Sequence, residues 1–134
     1  MVCIHCGAKT HVINSRGQKR HNQIWRRRAC FACNAVFTTS EAAVYEAAWV
    51  VLLRNGALQP FSRDKLFLSL YESCKHRKTA LADASALTDT VIKRLSQLVQ
   101  SGRLEARTIA HSAQVALHRF DTAASVHYQA FHQG

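Results

Sequence analysis

Apolar residues recur every three to four positions through much of the second half of the chain, and hardly at all through the first forty residues. In RDKLFLSLYESCKHR (63–77), Leu66, Phe67, Leu70, Tyr71 and Cys74 fall on one face of a helix, and Ser62 stands ready to cap it. A second helical face runs through ALTDTVIKRLSQLVQSG (86–102), with Leu87, Val91, Leu95, Leu98 and Val99 inward and Gly102 as the stop. Two further helices are expected, about 108–119 and 122–132. Ahead of them, WVVLLRNGALQPF (49–61) reads as a hairpin: an apolar strand, a turn at Asn55-Gly56, and a return strand ending at Phe61. Earlier still, THVINS, QIWRRRA and AVFTT are short runs of β-formers separated by polar residues. The pattern predicts an α+β chain: short N-terminal strands, then a β-hairpin with a helical bundle.

Composition divides the chain at the same place. Its 134 residues suit one ordinary domain or two small ones, and 48% hydrophobic content is enough for a packed core. Eighteen Lys and Arg face eight Asp and Glu. That balance favours acidic partners: nucleic acid, an anionic membrane or a phosphorylated ligand. Residues 1–40 hold seven of the cations and no acid, whereas residues 49–134 mix eleven bases with six acids. We therefore expect domains at 1–40 and 49–134, joined by a partly helical linker at 41–48 that has neither Pro nor Gly. The start, MVCIHCGAKT, lacks a secretory h-region, and the longest apolar run, AAWVVLL, is too short to span a bilayer. A cytoplasmic protein without a membrane partner is expected.

Four of the five cysteines lie in the basic part, as two Cys-x-x-Cys pairs, Cys3/Cys6 and Cys30/Cys33. Two intervening residues let a tight turn aim both sulfurs at one ion, and two such turns complete a tetrahedral S4 set. Gly7 and Asn34 follow the pairs and tolerate the positive φ that such turns need. One Zn2+ per chain, held by Cys3, Cys6, Cys30 and Cys33, is the expected cofactor; an iron–sulfur cluster is the minor alternative. His5 is a spare ligand beside four sufficient thiolates, and His11 and His21 read as solvated or phosphate-facing. The result is a zinc ribbon, in which the ion supplies the folding energy that forty residues cannot supply by burial.

A Zn(Cys)4 centre carries a net charge of about −2, so seven cations leave a surplus. Arg16, Lys19, Arg20, Arg26, Arg27 and Arg28 are the candidate nucleic-acid contacts. In an extended strand Arg26 and Arg28 point to one face and Arg27 to the other. Trp25 can stack on an arginine or pack under the sheet. No phosphate loop, G-x-G-x-x-G or H-E-x-x-H occurs, so no enzyme is expected. His111, His118, His127 and His132 sit at spacings that do not gather a site. Cys74 reads as a small buried hydrophobe.

VINSR (12–16), RRRACFACNAVFTT (26–39), RNGALQPFSRDKL (54–66) and FDTAASVHYQAF (120–131) together resemble the NrdR-type repressors of ribonucleotide reductase genes. The resemblance implies a zinc ribbon that binds double-stranded promoter DNA, followed by an ATP-cone that binds ATP or dATP as regulatory ligand. It further implies a homo-oligomer whose assembly changes with the nucleotide, in a bacterial, nucleoid-associated setting. Arg54, Asn55, Gly56, Phe61 and Lys65 fit the cone pattern. Val51, Arg54, Asn55 and Lys65 are the expected nucleotide contacts, with Val51 beside the base. Four positions depart from the family: Trp25 replaces the first of four arginines, Asn14 an acid, Leu53 a lysine and Gln59 a glutamate. The alternative is a nucleic-acid-binding ribbon whose degenerate cone serves only for oligomerisation.

Overall fold

The computed structural model describes residues 1–132. It divides into two compact units, Met1–Ala43 and the chain from Val44 onward, each described by itself.

The first unit is a three-stranded antiparallel sheet in the order β1 (Thr10–Gln18), β2 (Gln23–Cys30), β3 (Val36–Ala42). Opposite β2, Trp25 faces Arg16 and Ser40, Arg27 faces Asn14 and Thr38, and Arg28 faces Val12 and Phe37. The register slips between Val12 and Asn14, so Ile13 is a bulge. The β-formers dictate the strands, but they do not dictate a core. Among the described residues of this unit only Cys3 and Cys30 are buried apolar positions, while Val12, Ile13, Ile24, Trp25 and Val36 are exposed. A sheet with so little buried surface cannot offset chain entropy by packing. Its stability has to come from what the cysteines hold.

The second unit has an ordinary core. A short helix α1 (Tyr45–Ala48) leads into β4 (Val50–Leu52) and β5 (Leu58–Pro60), followed by α2 (Arg63–Cys74) and α3 (Ala80–Leu98). Strand β6 (Arg103–Glu105), α4 (Ala106–Phe120) and α5 (Thr122–Phe131) complete it. Phe61, Leu66, Leu70, Val91, Leu95, Leu104, Leu117 and Tyr128 are buried together. Ser62 caps α2 by accepting the Lys65 amide at 3.2 Å, and Asp121 caps α5 by accepting the Ala124 amide at 3.1 Å.

Several expectations need correction. The hairpin turn carries one positive φ, at Gly56 (+84°), with Leu53 and Ala57 closing a three-residue loop, rather than the two-residue turn that Asn-Gly favours. Strand β6 was not expected at all; it pairs in parallel with β4, giving the sheet order β5-β4-β6. Leu98 is exposed rather than buried, because α3 ends there and Val99 turns to extended backbone. Trp25 does not pack under the sheet: it is 42% exposed.

Candidate metal centre and ligand cavities

The two Cys-x-x-Cys turns behave as their sequence dictates. Gly7 has φ +76° and Asn34 φ +59°, which bends each chain back beneath its sulfurs. The Cys3 and Cys33 sulfurs lie 3.7 Å apart and those of Cys6 and Cys30 3.4 Å apart, with all four within 4.8 Å of one another. Zinc–sulfur bonds of about 2.3 Å in a tetrahedron place sulfurs about 3.8 Å apart, so the donor set fits Zn2+. Amides prepare the thiolates: His5 N–H donates to Cys3 Sγ at 3.3 Å, and the Ala32 and Cys33 N–H groups donate to Cys30 Sγ at 3.3 and 3.4 Å. The Cys33 amide, with that of Ala32, draws the Cys30 thiol down to about 6 against the effect of burial. Cys33 goes the other way. The Ala35 amide lowers its thiol, but burial and the sulfurs of Cys30, Cys3 and Cys6 outweigh it and push it up to about 11. Four sulfurs this close cannot all ionise without a cation among them. A divalent ion removes that conflict and closes the fold.

The cations are spread over both faces of the sheet. Arg16 stands on β1, Lys19 and Arg20 in the β1–β2 turn, and Arg26, Arg27 and Arg28 along the central strand. Arg26 lies 3.8 Å from Glu41. Arg28 Nη1 reaches Thr10 Oγ1 at 3.4 Å, and its Nε is buried with no acceptor among the described residues. Arg27, on the opposite face, is exposed between the uncharged Asn14 and Thr38. Three adjacent arginines therefore occupy three different environments.

In the second unit a cavity of about 210 Å³ opens between the hairpin, α2, α4 and α5. Val51, Phe61, Ile109 and Tyr128 give it apolar walls, and Gln59, Ser62, Lys65, Ser69 and His132 give it polar groups. A second cavity, about 310 Å³, has Arg54, Glu105 and Arg107 in its lining. Leu53 and Ala106 border both. A third, about 590 Å³, lies along α4 and α5 and shares Ala110, Tyr128 and His132 with the first.

Residues 1–41 match the family model for the N-terminal domain of transcriptional repressor NrdR-like proteins, a zinc ribbon. Over 131 residues the chain is 34% identical to the transcriptional repressor NrdR of Syntrophotalea carbinolica, covering 96% of this chain and 81% of that protein. It is 32% identical to NrdR of Geobacter sulfurreducens over 129 residues, 96% of this chain and 85% of that one. With NrdR of Corynebacterium aurimucosum identity is 38% over 101 residues, 75% and 59% of the two chains. The chain belongs to the NrdR family of transcriptional repressors. Such relatives are repressors and not enzymes, and the four-cysteine cluster is the zinc site of an NrdR ribbon. No helix among the described residues is long and apolar enough to cross a membrane.

Against this NrdR frame the expected cone residues separate. Val51 and Lys65 line one cavity, while Arg54 lines its neighbour. Asn55 Oδ1 accepts the Ala57 amide at 2.9 Å and so holds the hairpin turn. Sequence reasoning missed Tyr128 and His132, which enter the first cavity because α5 folds back over α2 and α4. His132 stacks on Tyr128, with ring centroids 4.0 Å apart. The histidine spacing gave no hint of this, since His111 and His132 meet along one cavity only through the α4–α5 reversal. Among the others, His127 Nδ1 pairs with Ser73 Oγ at 3.2 Å and His11 stacks on Phe31. Cys74 is fully buried, and burial raises its thiol, so it is inert packing.

Proposed function

We propose that this NrdR-family chain is a zinc-dependent repressor whose ribbon holds double-stranded promoter DNA and whose cone reads adenine nucleotide supply. The observation that carries the proposal is the ribbon itself: a coreless, zinc-closed sheet with seven cations and no acid before Glu41. Arg16, Lys19, Arg20, Arg26, Arg27 and Arg28 are its phosphate and base contacts, and Arg27 is the most open of the three consecutive arginines. The genes controlled are those of ribonucleotide reductase. For such genes a deoxynucleotide signal makes physical sense, because their product makes deoxynucleotides.

The cone ligand is ATP or dATP. The cavity walled by Val51 and bordered by Lys65 supports this reading: an apolar slot beside one cation suits a base and a phosphate. Arg54, from the adjoining cavity, reaches the phosphates from the other side of Leu53. Nucleotide changes function by favouring one homo-oligomer over another, since equal affinity for two assemblies shifts neither. The test is titration of ATP and dATP into zinc-loaded protein. Mass and affinity for DNA upstream of the host's reductase genes are followed together. Lys65→Ala leaves the α2 cap in place, because Ser62 accepts the backbone amide. It should weaken nucleotide binding about ten- to hundredfold and blunt both responses. If saturating nucleotide changes neither mass nor DNA affinity in the parent protein, the cone is a scaffold for oligomerisation only.

A further inference from the structure

The exposed face of the ribbon sheet is organised in three rows across its strands. Arg16, Trp25 and Ser40 form one; Asn14, Arg27 and Thr38 the next; His11, Ala29 and Val36 the third. On this face Trp25, Arg27, Val36, Thr38 and Ser40 are exposed, whereas Arg26, Arg28, Phe37 and Thr39, which alternate with them, are half-buried. Trp25 stands in the central strand, 42% exposed, and its Nε1–H donates to Gln23 Oε1 at 3.2 Å, which fixes the indole from within its own strand. At the far end of the same face Phe31, 67% exposed, stacks on His11 with centroids 4.4 Å apart. The order along the face is aromatic, cation, aromatic, with Arg16 flanking the first ring.

We infer that this face binds single-stranded DNA, with one unpaired base stacked on Trp25 and its flanking phosphates held by Arg16 and Arg27. In a duplex each base is covered above and below by its neighbours, so a ring lying on a flat sheet meets only groove edges. An unpaired strand presents both π-faces, and aromatic platforms in a cationic track are how such strands are held. Asn14, Thr38 and Ser40 supply donors and acceptors for base edges beside the stack. The inference rests on the nucleic-acid reading of the ribbon but assigns it a second ligand through a different group.

The test uses full-length zinc-loaded protein, a labelled oligothymidylate and a mixed-sequence duplex of equal length, at one fixed salt concentration. Trp25→Phe should hold the single strand within about threefold of the parent. Trp25→Ala and Trp25→Arg should lose about five- to a hundredfold for the single strand. The arginine variant adds a charge, so its duplex affinity should stay level or rise while single-strand affinity falls. Zinc content of one per chain confirms that each variant is folded. Trp49 is buried, so quenching of the exposed indole by the oligothymidylate reports Trp25 directly. Tighter binding of both probes by Trp25→Arg would show that charge alone acts, and would overturn the inference. An equal fall for both probes in the alanine and arginine variants would overturn it too. A parent protein that holds the single strand but no duplex would support the inference and remove the promoter reading.

Discussion

At Cys30 two amides, those of Cys33 and Ala32, converge on one sulfur that is itself 3.4 Å from Cys6. Cys30→Ser removes one of four soft donors from a sheet with almost no apolar core. The loss of zinc affinity should far exceed the about 10- to 100-fold that losing an outer-shell partner costs. Zinc content and backbone amide dispersion of the ribbon measure it; full zinc and native dispersion in that variant would remove Cys30 from the site. The neighbouring arginines should respond differently from one another. Arg27→Ala should keep zinc and reduce the salt slope of duplex binding by about one. Arg28→Ala should in addition weaken the ribbon against a zinc chelator, because its Nη1 reaches Thr10 and its Nε is buried. Equal behaviour of the two variants in both assays would contradict this division. The cysteine turns were legible in the sequence because Gly7 and Asn34 act within two residues of their sulfurs. The division of labour among the arginines was not, since Arg28 meets Thr10 through a register set eighteen positions away.

Between α4 and α5, Asp121 joins three elements. Its carboxylate accepts from His76 Nε2 at 3.0 Å, from the Ala124 amide at 3.1 Å and from Arg77 Nη1 at 3.0 Å. Those partners, His76 first, hold its carboxyl well below the ordinary value of 3.8. Asp83 is lowered in the same way, by Thr79 and then Arg77. A depressed folded-state value contributes stability that is present above the unfolded value and lost as pH falls through the folded one. The second unit should therefore lose thermal stability progressively as pH falls below about 5, with most of the loss below the ordinary carboxyl value of 3.8. In Asp121→Asn, which keeps a capping side chain, that decline should be shallower and the neutral-pH Tm several degrees lower. An identical pH profile for the two proteins, followed by calorimetry, would sink the assignment. A second element-level test concerns β6. Gly102 has φ +73°, and a Cβ there would sit 3.0 Å from the Ala48 carbonyl oxygen. Gly102→Ala should cost about 1–3 kcal/mol, read by denaturant unfolding; a neutral substitution would mean the turn relaxes. Helices α2 and α3 were legible because their apolar period is long. Strand β6 was not, because three residues carry no period and its pairing with β4 is parallel and distant in sequence.

For the whole molecule, the two units divide the work by composition. One has charge and a metal in place of a core, and the other has a core and cavities. That division was visible as a shift in acid, cysteine and apolar content near residue 40. The cone cavity was only half visible. Val51 and Lys65 come from the recognisable hairpin and helix, whereas Tyr128 and His132 arrive through the packing of the last helix. The claim that unites the two units is that a zinc-closed cationic sheet grips the phosphates of duplex DNA. It is tested most directly by the salt dependence of duplex affinity. The parent protein is compared with Arg26→Ala/Arg27→Ala/Arg28→Ala, each at one zinc per chain. Each lost phosphate contact should make the slope of log K against log salt shallower by about 0.9, so the triple variant should flatten it by about one to three units and bind far more weakly. An unchanged slope, with zinc retained, would take the arginines out of the interface and contradict the account.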